Sequence, residues 1–321
     1  MPKCLVTGGA GFVGSHLVEL LLAEGHSVEV IDDLSTGSLD NIAPFKDNAN
    51  FRHIVDTVLN QDVMNTLVQR NDVIFHLAAA VGVRLIVEQP VRTLQTNIEA
   101  TELVLQLASV NEKRVLLTST SEVYGKSTKL PFGEDDDLVI GPTSRFRWAY
   151  AASKIIDEFL ALAFHKERGL PVTIVRLFNT IGPRQTGRYG MVVPRFVQQA
   201  LSGQPISVYG DGTQRRSFTW VKDVVGAINQ LAWEPNANGQ VFNIGHTKDI
   251  SILELAQLVK QLTGSDSPIN PVSFEDAFSS DFEDMHQRMP DISRISQLIG
   301  YQPTMDLPEM LGEIIADFQQ K

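Results

Sequence analysis

Tyr150 and Lys154 form a pair whose residue types and spacing suggest chemistry. They stand four residues apart in a run with a helical pattern, so their side chains share one helix face. A tyrosine has a pKa of about 10, and lowering it by roughly 3 units requires about 4 kcal/mol of phenolate stabilisation. A neighbouring ammonium group supplies part of this stabilisation. The pair predicts a tyrosine general base, but the same spacing also occurs on ordinary surface helices.

A cluster of hydroxyl side chains at the end of a predicted strand gives a second match. Thr118 to Glu122 lie where strands of a doubly wound sheet end, which is where such sheets bind ligands. Thr120 or Ser121 is placed to hydrogen-bond a reacting oxygen, although both residue types also cap turns and helices. Glu122 is either a solvated loop acid or a second base.

A glycine-rich segment near the start of the chain predicts a phosphate-binding loop. Gly8, Gly9, Gly11 and Gly14 satisfy both G-x-G-x-x-G and G-x-x-G-x-x-G between a predicted strand and a predicted helix. Glycine lets the backbone approach a pyrophosphate, which then meets free N–H groups at the helix start. The next strand ends at Asp32, whose carboxylate can accept the ribose hydroxyls of NAD and repels the extra phosphate of NADP. We predict NAD as the cofactor.

The elements that must position these residues are visible in the hydrophobic pattern. Near-continuous apolar runs are typical of parallel strands covered on both faces, so we predict a doubly wound α/β sheet of the Rossmann type. Beyond residue 177 the pattern loosens, which predicts a smaller, interleaved domain containing a helix that starts at the Ser251 and Glu254 capping box and ends at Gly264. The strands are expected at 3–7, 28–32, 51–55, 72–77, 114–118, 172–177 and 241–244, with a helix at 12–24.

Composition narrows the partners and the compartment. The 321 residues carry a net charge of −11, which disfavours nucleic acid and anionic membranes as partners, and the apolar stretches are too short for a membrane span. Without a charged leader, and with Cys4 as the single cysteine, the chain is expected in the cytoplasm with that thiol packed in the core. The seven histidines lack metal-ligand spacing, so we expect no metal.

One basic segment departs from the acidic balance. Residues 184–216 contain five arginines and one acid, a local charge of +4, which suits an anionic small molecule.

Seven motifs carry a resemblance to a known family. They are Thr-Gly-Gly-Ala-Gly-Phe-Val-Gly-Ser-His at 7–16, Asp-Asp-Leu-Ser-Thr-Gly at 32–37, His-Leu-Ala-Ala at 76–79, Ser-Thr-Ser-Glu-Val-Tyr-Gly at 119–125, Tyr-x-x-x-Lys at 150–154, Arg-Leu-Phe-Asn-Thr-Ile-Gly-Pro-Arg at 176–184 and Tyr-Gly-Asp-Gly-Thr-Gln-Arg-Arg at 209–216. The chain resembles, nearly end to end, the extended short-chain dehydrogenases, specifically the NAD-dependent sugar-nucleotide epimerase/dehydratase family.

The resemblance implies roles at the matching positions. Tyr150 would be the base, Lys154 would hold the nicotinamide ribose, and Thr120 with Ser121 would polarise the C4 oxygen of the sugar. Cofactor contacts are further implied for Gly8, Gly11, Phe12, Val13, Gly14, Asp32, Asp33, Ser35, Thr36, Gly37, Asp56, Leu77, Ala78, Ala79, Asn97 and Thr118. Substrate contacts are implied for Asn179, Arg216 and Arg288 at the diphosphate, and for Arg184, Val193, Arg195 and Tyr209.

The resemblance also implies a domain division and a dimer. Residues 1–176 with 217–246 would bind NAD, and residues 177–216 with 247–321 would bind the sugar nucleotide. Helices at 93–110 and 150–167 would pair two subunits into a homodimer.

The implied reaction is transient oxidation at C4 of a UDP-sugar, and the step after it defines the enzyme. Arg147-Trp148 and residues 182–188 resemble members acting on UDP-glucuronate, so we favour 4-epimerisation to UDP-galacturonate, with Arg184 as the first candidate for the sugar carboxylate. Alternatives are UDP-glucuronate decarboxylation to UDP-xylose, in which Glu122 would act, and 4,6-dehydration. A non-catalytic NAD-binding redox sensor is the alternative outside catalysis, and the joint presence of Tyr150, Lys154 and Thr120 argues against it.

Overall fold

A seven-stranded, entirely parallel sheet forms the centre of the molecule, in the order β3-β2-β1-β4-β5-β6-β11. The computed structural model describes residues 1–80, 89–187, 191–273 and 285–320. This order is the doubly wound arrangement expected of a Rossmann fold with a seventh strand added. The strands of the sheet are β1 Lys3–Thr7, β2 Ser27–Asp32, β3 Phe51–Val55, β4 Val73–His76, β5 Arg114–Thr120, β6 Val172–Leu177 and β11 Gln240–Ile244.

Nine α-helices fall within the described residues and accompany these strands. Five of them, α1, α2, α3, α4 and α6, cover the two faces of the large sheet, since parallel strands need crossover connections, and α8 also packs on one of these faces. The helices are α1 Phe12–Ala23, α2 Gln61–Arg70, α3 Pro90–Val110, α4 Ala149–Arg168, α5 Val192–Leu201, α6 Val221–Trp233, α7 Ile252–Thr263, α8 Ser293–Ile299 and α9 Leu307–Gln319.

Alternation along the strands divides the core between the two faces. Cys4 and Val6 of β1 point to the face covered by α1 and α6, whereas Leu5 points to the face covered by α2, α3 and α4. All three side chains are fully buried. Burial raises the pKa of the Cys4 thiol to about 12, so this cysteine is a packed, unreactive side chain, as predicted.

A smaller lobe packs around its own core at one end of the sheet. Phe196 of α5, Leu255 of α7 and Met310 of α9 are fully buried within it. The lobe also contains short sheets formed by β8 Ile206–Tyr209 with β13 Ile269–Val272, and by β9 Arg215–Ser217 between β12 Asp249–Ser251 and β14 Gln287–Arg288. A further strand pair, β7 Thr180–Ile181 with β10 Thr219–Trp220, connects the lobe to the sheet.

The predicted strands agree with the structure to within two residues, and the helix predicted at 93–110 begins three residues earlier, at Pro90. The helix that starts at the Ser251 and Glu254 capping box ends at Gly264 in a left-handed conformation, as expected. The domain division stays a prediction, and one segment departs from it. Ile295 and Tyr301, assigned to the smaller domain, lie in the core beside α1 and α6, so the chain returns to the large sheet after β14.

No helix within the described ranges is both long enough and apolar enough to span a lipid bilayer.

Gly14 and Gly226 make a matched pair of helical glycines for a stability test. A Cβ at Gly14 of α1 would lie 2.1 Å from the Gly8 carbonyl oxygen, whereas a Cβ at Gly226 of α6 would meet nothing within 4 Å. We expect Gly14→Ala to lower the free energy of unfolding by about 1–3 kcal/mol and Gly226→Ala to raise it by about 0.5–1 kcal/mol. Urea denaturation measures both, and equal effects would contradict the packing described for the loop.

Candidate active site

A cavity of about 710 Å³ lies between the carboxyl ends of the large sheet and the smaller lobe. Parallel strands end at one edge, so side chains far apart in sequence meet there. Of the predicted site residues, those lining it are Gly8, Gly11, Phe12, Val13, Gly14, Asp32, Asp33, Ser35, Thr36, Leu77, Ala78, Ala79, Thr118, Thr120, Ser121, Glu122, Tyr150, Asn179, Arg184, Val193, Arg195, Tyr209, Arg216 and Arg288.

The glycine loop at one end of the cavity fits a dinucleotide. Gly8 has a φ of 72°, and a Cβ there would lie 2.9 Å from the Ala78 nitrogen, so the loop packs directly on the end of β4. Asp32 lines the cavity beside this loop and accepts hydrogen bonds from the Ala10 and Leu34 N–H groups, each at 2.9 Å. In Rossmann folds a glycine loop of this kind binds the pyrophosphate of NAD, and a carboxylate at the end of the second strand binds its adenosine ribose.

Four predicted residues lie behind the cavity wall instead of lining it: Gly37, Asp56, Asn97 and Lys154. Asp56 accepts hydrogen bonds from the Thr57 N–H at 2.7 Å and the Asn60 side chain at 2.8 Å, so it stabilises the turn before α2. Asn97 accepts from the Ala80 N–H at 2.8 Å and donates to Ser153. Their contacts with a cofactor stay predictions.

Tyr150 and Thr120 meet at the centre of the cavity, where their hydroxyl groups are hydrogen-bonded to each other. Burial raises the pKa of the Tyr150 phenol, and the negative charges of Glu122 and Asp157 raise it further. The phenol is therefore neutral in this state. When bound, NAD brings a positive nicotinamide, which favours the phenolate form.

Lys154 is held by a partner that the sequence analysis missed. Its side chain is 2% exposed, and its Nζ donates to Asp157 Oδ2 at 2.7 Å on the same helix. Burial raises the pKa of Asp157, while Lys154 opposes that rise. The i,i+3 spacing of a lysine and an acid was the available signal.

Glu122 lies between two arginines at the reaction end of the cavity. It forms ion pairs with Arg147, from the turn before α4, and with Arg288 of β14. Burial alone would raise the pKa of the Glu122 carboxyl, but the two guanidinium groups lower it to about 2. Glu122 is therefore a buried, ionised group and not a solvated loop acid.

Arg216 and Arg288 occupy paired positions in adjacent parallel strands, β9 and β14. The side chain of Asn179, which follows β6, donates to the Ser217 carbonyl at the end of β9 at 2.8 Å. Arg195 of α5 lies 3.7 Å from the Tyr209 ring centroid. The smaller lobe thus brings Arg195, Arg216 and Arg288 to the cavity, while contacts of Asn179, Arg216 and Arg288 with a diphosphate stay predictions.

Arg184 points differently from the expectation for it. Its guanidinium donates to Glu19 Oε2 at 2.6 Å and to Ser15 Oγ at 3.4 Å, both on α1 at the cofactor side. These bonds connect residue 184 to α1, and a contact between Arg184 and a sugar carboxylate stays a prediction. Arg188, part of the same basic segment, lies outside the described residues.

Arg147 was not predicted as a site residue, yet it lines the cavity beside Glu122. The available signal was a charged residue just before the helix that carries Tyr150. Within the described ranges, no group of three or more histidine, cysteine or acidic side chains can hold a metal ion.

Comparisons with known proteins show which family the chain belongs to. The family model described as GDP-mannose 4,6 dehydratase matches residues 5–314. The chain belongs to this family. Its homologues are extended short-chain dehydrogenases, the NAD-dependent sugar-nucleotide epimerases and dehydratases, so the recognised family is confirmed.

Three relatives illustrate the range within the family. A UDP-N-acetyl-alpha-D-glucosaminuronate decarboxylase of Bacillus cytotoxicus is 42% identical over 99% of this chain and 98% of its own length. The crystal structure of a UDP-glucuronic acid 4-epimerase from Bacillus cereus with UDP-glucuronic acid and NAD is 32% identical, with a TM-score of 0.88 over 99% of each chain. A dTDP-glucose 4,6-dehydratase from Streptomyces venezuelae with NAD bound is 28% identical, with a TM-score of 0.89 over 99% of this chain and 97% of that one.

Removing the Tyr150 hydroxyl tests its role as base. We expect Tyr150→Phe to retain binding of NAD and UDP-sugar but to lose turnover by several orders of magnitude, because a general base that also starts oxidation is lost. Product formation and cofactor titration measure the two effects. Tyr301→Phe removes a buried hydroxyl that donates to the Gly245 carbonyl, and because Tyr301 does not line the cavity this variant serves as the control. Activity of Tyr150→Phe within tenfold of the parent would contradict the assignment.

Proposed function

We propose that this protein is an NAD-dependent decarboxylase of a UDP-linked hexuronate. The observation that carries the proposal is the ionised Glu122 carboxylate beside Tyr150, paired with Arg147 and Arg288 in the cavity. The relative with 42% identity is a decarboxylase of a UDP-linked, N-acetylated hexuronate.

The chemistry follows from the positions of the groups. Tyr150 takes the proton of the C4 hydroxyl, and Thr120 hydrogen-bonds the oxygen left at C4. Bound NAD supplies the two-electron oxidation at C4 and its later reversal. With a ketone at C4, the carboxylate on C5 is that of a β-keto acid. Its C–C bond breaks, carbon dioxide leaves, and the electron pair moves to the C4 oxygen as an enolate that takes up a proton at C5.

Glu122 favours this outcome through its charge. The Glu122 carboxylate offsets part of the positive charge of Arg147 and Arg288. These arginines therefore stabilise the substrate carboxylate less, and less stabilisation is lost as neutral carbon dioxide forms. Because its pKa is lowered to about 2, the Glu122 carboxyl is ionised at neutral pH.

Dehydration is less well supported by the same groups. Elimination of the C6 hydroxyl requires a base at C5 and an acid for the leaving group. Among the described residues lining the cavity, Glu122 is the acidic side chain near Tyr150, whereas Asp32, Asp33 and Asp40 line the cofactor end.

The second candidate is UDP-glucuronate 4-epimerisation, which the sequence favours. The specific observation for it is the likeness to the Bacillus cereus 4-epimerase, at 32% identity and a TM-score of 0.88. That reaction requires the ketone to turn its other face to the cofactor while the carboxylate is retained, a positioning problem in which small displacements matter.

Carbon-13 NMR distinguishes the outcomes directly. The enzyme with NAD is incubated separately with UDP-glucuronate and UDP-N-acetylglucosaminuronate labelled at C6, and with UDP-glucose as the neutral control. We expect labelled carbon dioxide and a UDP-pentose from at least one uronate. UDP-galacturonate or its N-acetylated counterpart as the main product would replace the proposal with the epimerase. Absorbance at 340 nm unchanged with every sugar, and no product, would indicate a cofactor-binding regulator.

We also propose that two copies of the chain associate through α3 and α4. Phe159 and Ile156 lie three residues apart on α4, so they share a face, and they are 70% and 41% exposed. Val91 and Val110 at the ends of α3 are 67% and 77% exposed. A second copy presenting the same face covers these side chains by symmetry.

Light scattering after gel filtration tests the association. We expect the mass of a dimer for the parent and of a monomer for Phe159→Glu, because a charge in an apolar interface is unpaired. Leu262→Glu on α7, 40% exposed in the smaller lobe, is the matched control and should remain dimeric. A monomeric parent would overturn the proposal.

A further inference from the structure

Arg147 is a buried cation in the cavity that has no part in the oxidation step at C4. It belongs to the short helical turn Phe146–Trp148 immediately before α4. Only 3% of the residue is exposed, its Nη2 is paired with Glu122, and its guanidinium lies 5.4 Å from the centroid of the Trp148 ring. Burying a guanidinium is costly, so a buried one beside a ligand cavity indicates a ligand that needs it.

The position of Arg147 matches one particular part of a sugar nucleotide. It precedes Tyr150 by three residues, about one helical turn, and both side chains line the cavity. Tyr150 marks the sugar C4, and C5 is bonded to C4, so the C5 substituent lies near Tyr150. The diphosphate, attached at C1 across the ring, belongs with Arg216 and Asn179 in the smaller lobe.

We propose that the Arg147 guanidinium binds the C5 carboxylate of the substrate and selects hexuronates over neutral hexoses. This inference rests on the proposed function and deepens it by naming the residue that reads the substrate class. It also replaces the expectation for Arg184, whose guanidinium is bonded to Glu19 and Ser15 of α1.

The geometry of a guanidinium makes this double role possible. Its five N–H donors form a planar fork, so one edge can hold Glu122 while another holds a second carboxylate. Arg147 and Arg288 both meet Glu122, and their guanidinium groups attract a substrate carboxylate. A neutral hexose has no charge for them to attract.

The pairing with Glu122 also sets how tightly the carboxylate is held. An arginine with no acidic partner would stabilise the charged substrate strongly, and that stabilisation is lost when carbon dioxide leaves. Because Glu122 already offsets part of the Arg147 charge, the substrate carboxylate is bound but its charged form is not strongly stabilised.

Binding measurements in a background without turnover test the proposal. In Tyr150→Phe with NAD present, calorimetry gives the dissociation constants of UDP-glucuronate and UDP-glucose for the parent background, Arg147→Gln and Arg147→Lys. We expect Arg147→Gln to weaken UDP-glucuronate at least tenfold and to change UDP-glucose less than twofold. Arg147→Lys should recover part of the loss, because the charge is kept and the fork is not.

Arg145→Gln is the matched control. Arg145 lies two residues before Arg147 and does not line the cavity, so the variant removes the same charge from outside the site. It should leave both affinities unchanged. Equal losses for the two sugars in Arg147→Gln would show a purely structural role and overturn the proposal, as would no loss or no preference for the uronate in the parent. The affinity ratio does not depend on the product, so it tests Arg147 even if the enzyme proves to be an epimerase.

Discussion

The alignment of seven parallel strands is the constraint on which the site depends. Their carboxyl ends meet at one edge, and the glycine loop after β1, Asp32 at the end of β2 and Thr120 at the end of β5 are neighbours for that reason alone. The glycine loop can then pack against the end of β4, because a Cβ at Gly8 would collide with the Ala78 backbone. The cofactor end of the cavity is thus a direct product of sheet topology.

A buried polar network keeps the catalytic helix in register with the sheet. Arg176 of β6 donates to Glu158 of α4 at 2.7 Å and to the Tyr124 hydroxyl at 3.0 Å, and Ser119 of β5 also bonds Glu158. Burial raises the pKa of Tyr124 to about 12, so its hydroxyl stays protonated and donates to Asn243 of β11. These bonds join α4 to three strands, and Tyr150 is held within that frame.

Charge divides the cavity into ends with different chemistry. Asp32 supplies a carboxylate beside the glycine loop, the smaller lobe supplies Arg195 and Arg216, and Glu122 pairs with Arg147 and Arg288 near Tyr150. Burial, together with the negative charges of Glu122 and Asp157, raises the pKa of Tyr150, so its phenol is neutral in this state. The Glu122 to Arg288 pair also connects the turn after β5 to β14 of the smaller lobe.

The sequence by itself determined the features that depend on local spacing. Strand and helix periodicity, the glycine loop with Asp32, the Tyr150 and Lys154 pair and the capping box at Ser251 each lie within a few tens of residues, so side-chain pattern alone reveals them. Only the tertiary structure decided which arginine pairs with which acid. Glu122 meets Arg288 across 166 positions, and Arg184 turns to Glu19 across 165, distances over which no sequence spacing specifies contact. Whether an acid is solvated or buried between guanidinium groups is set by which elements pack around it, and that packing changes the proton affinity and the chemistry of the side chain.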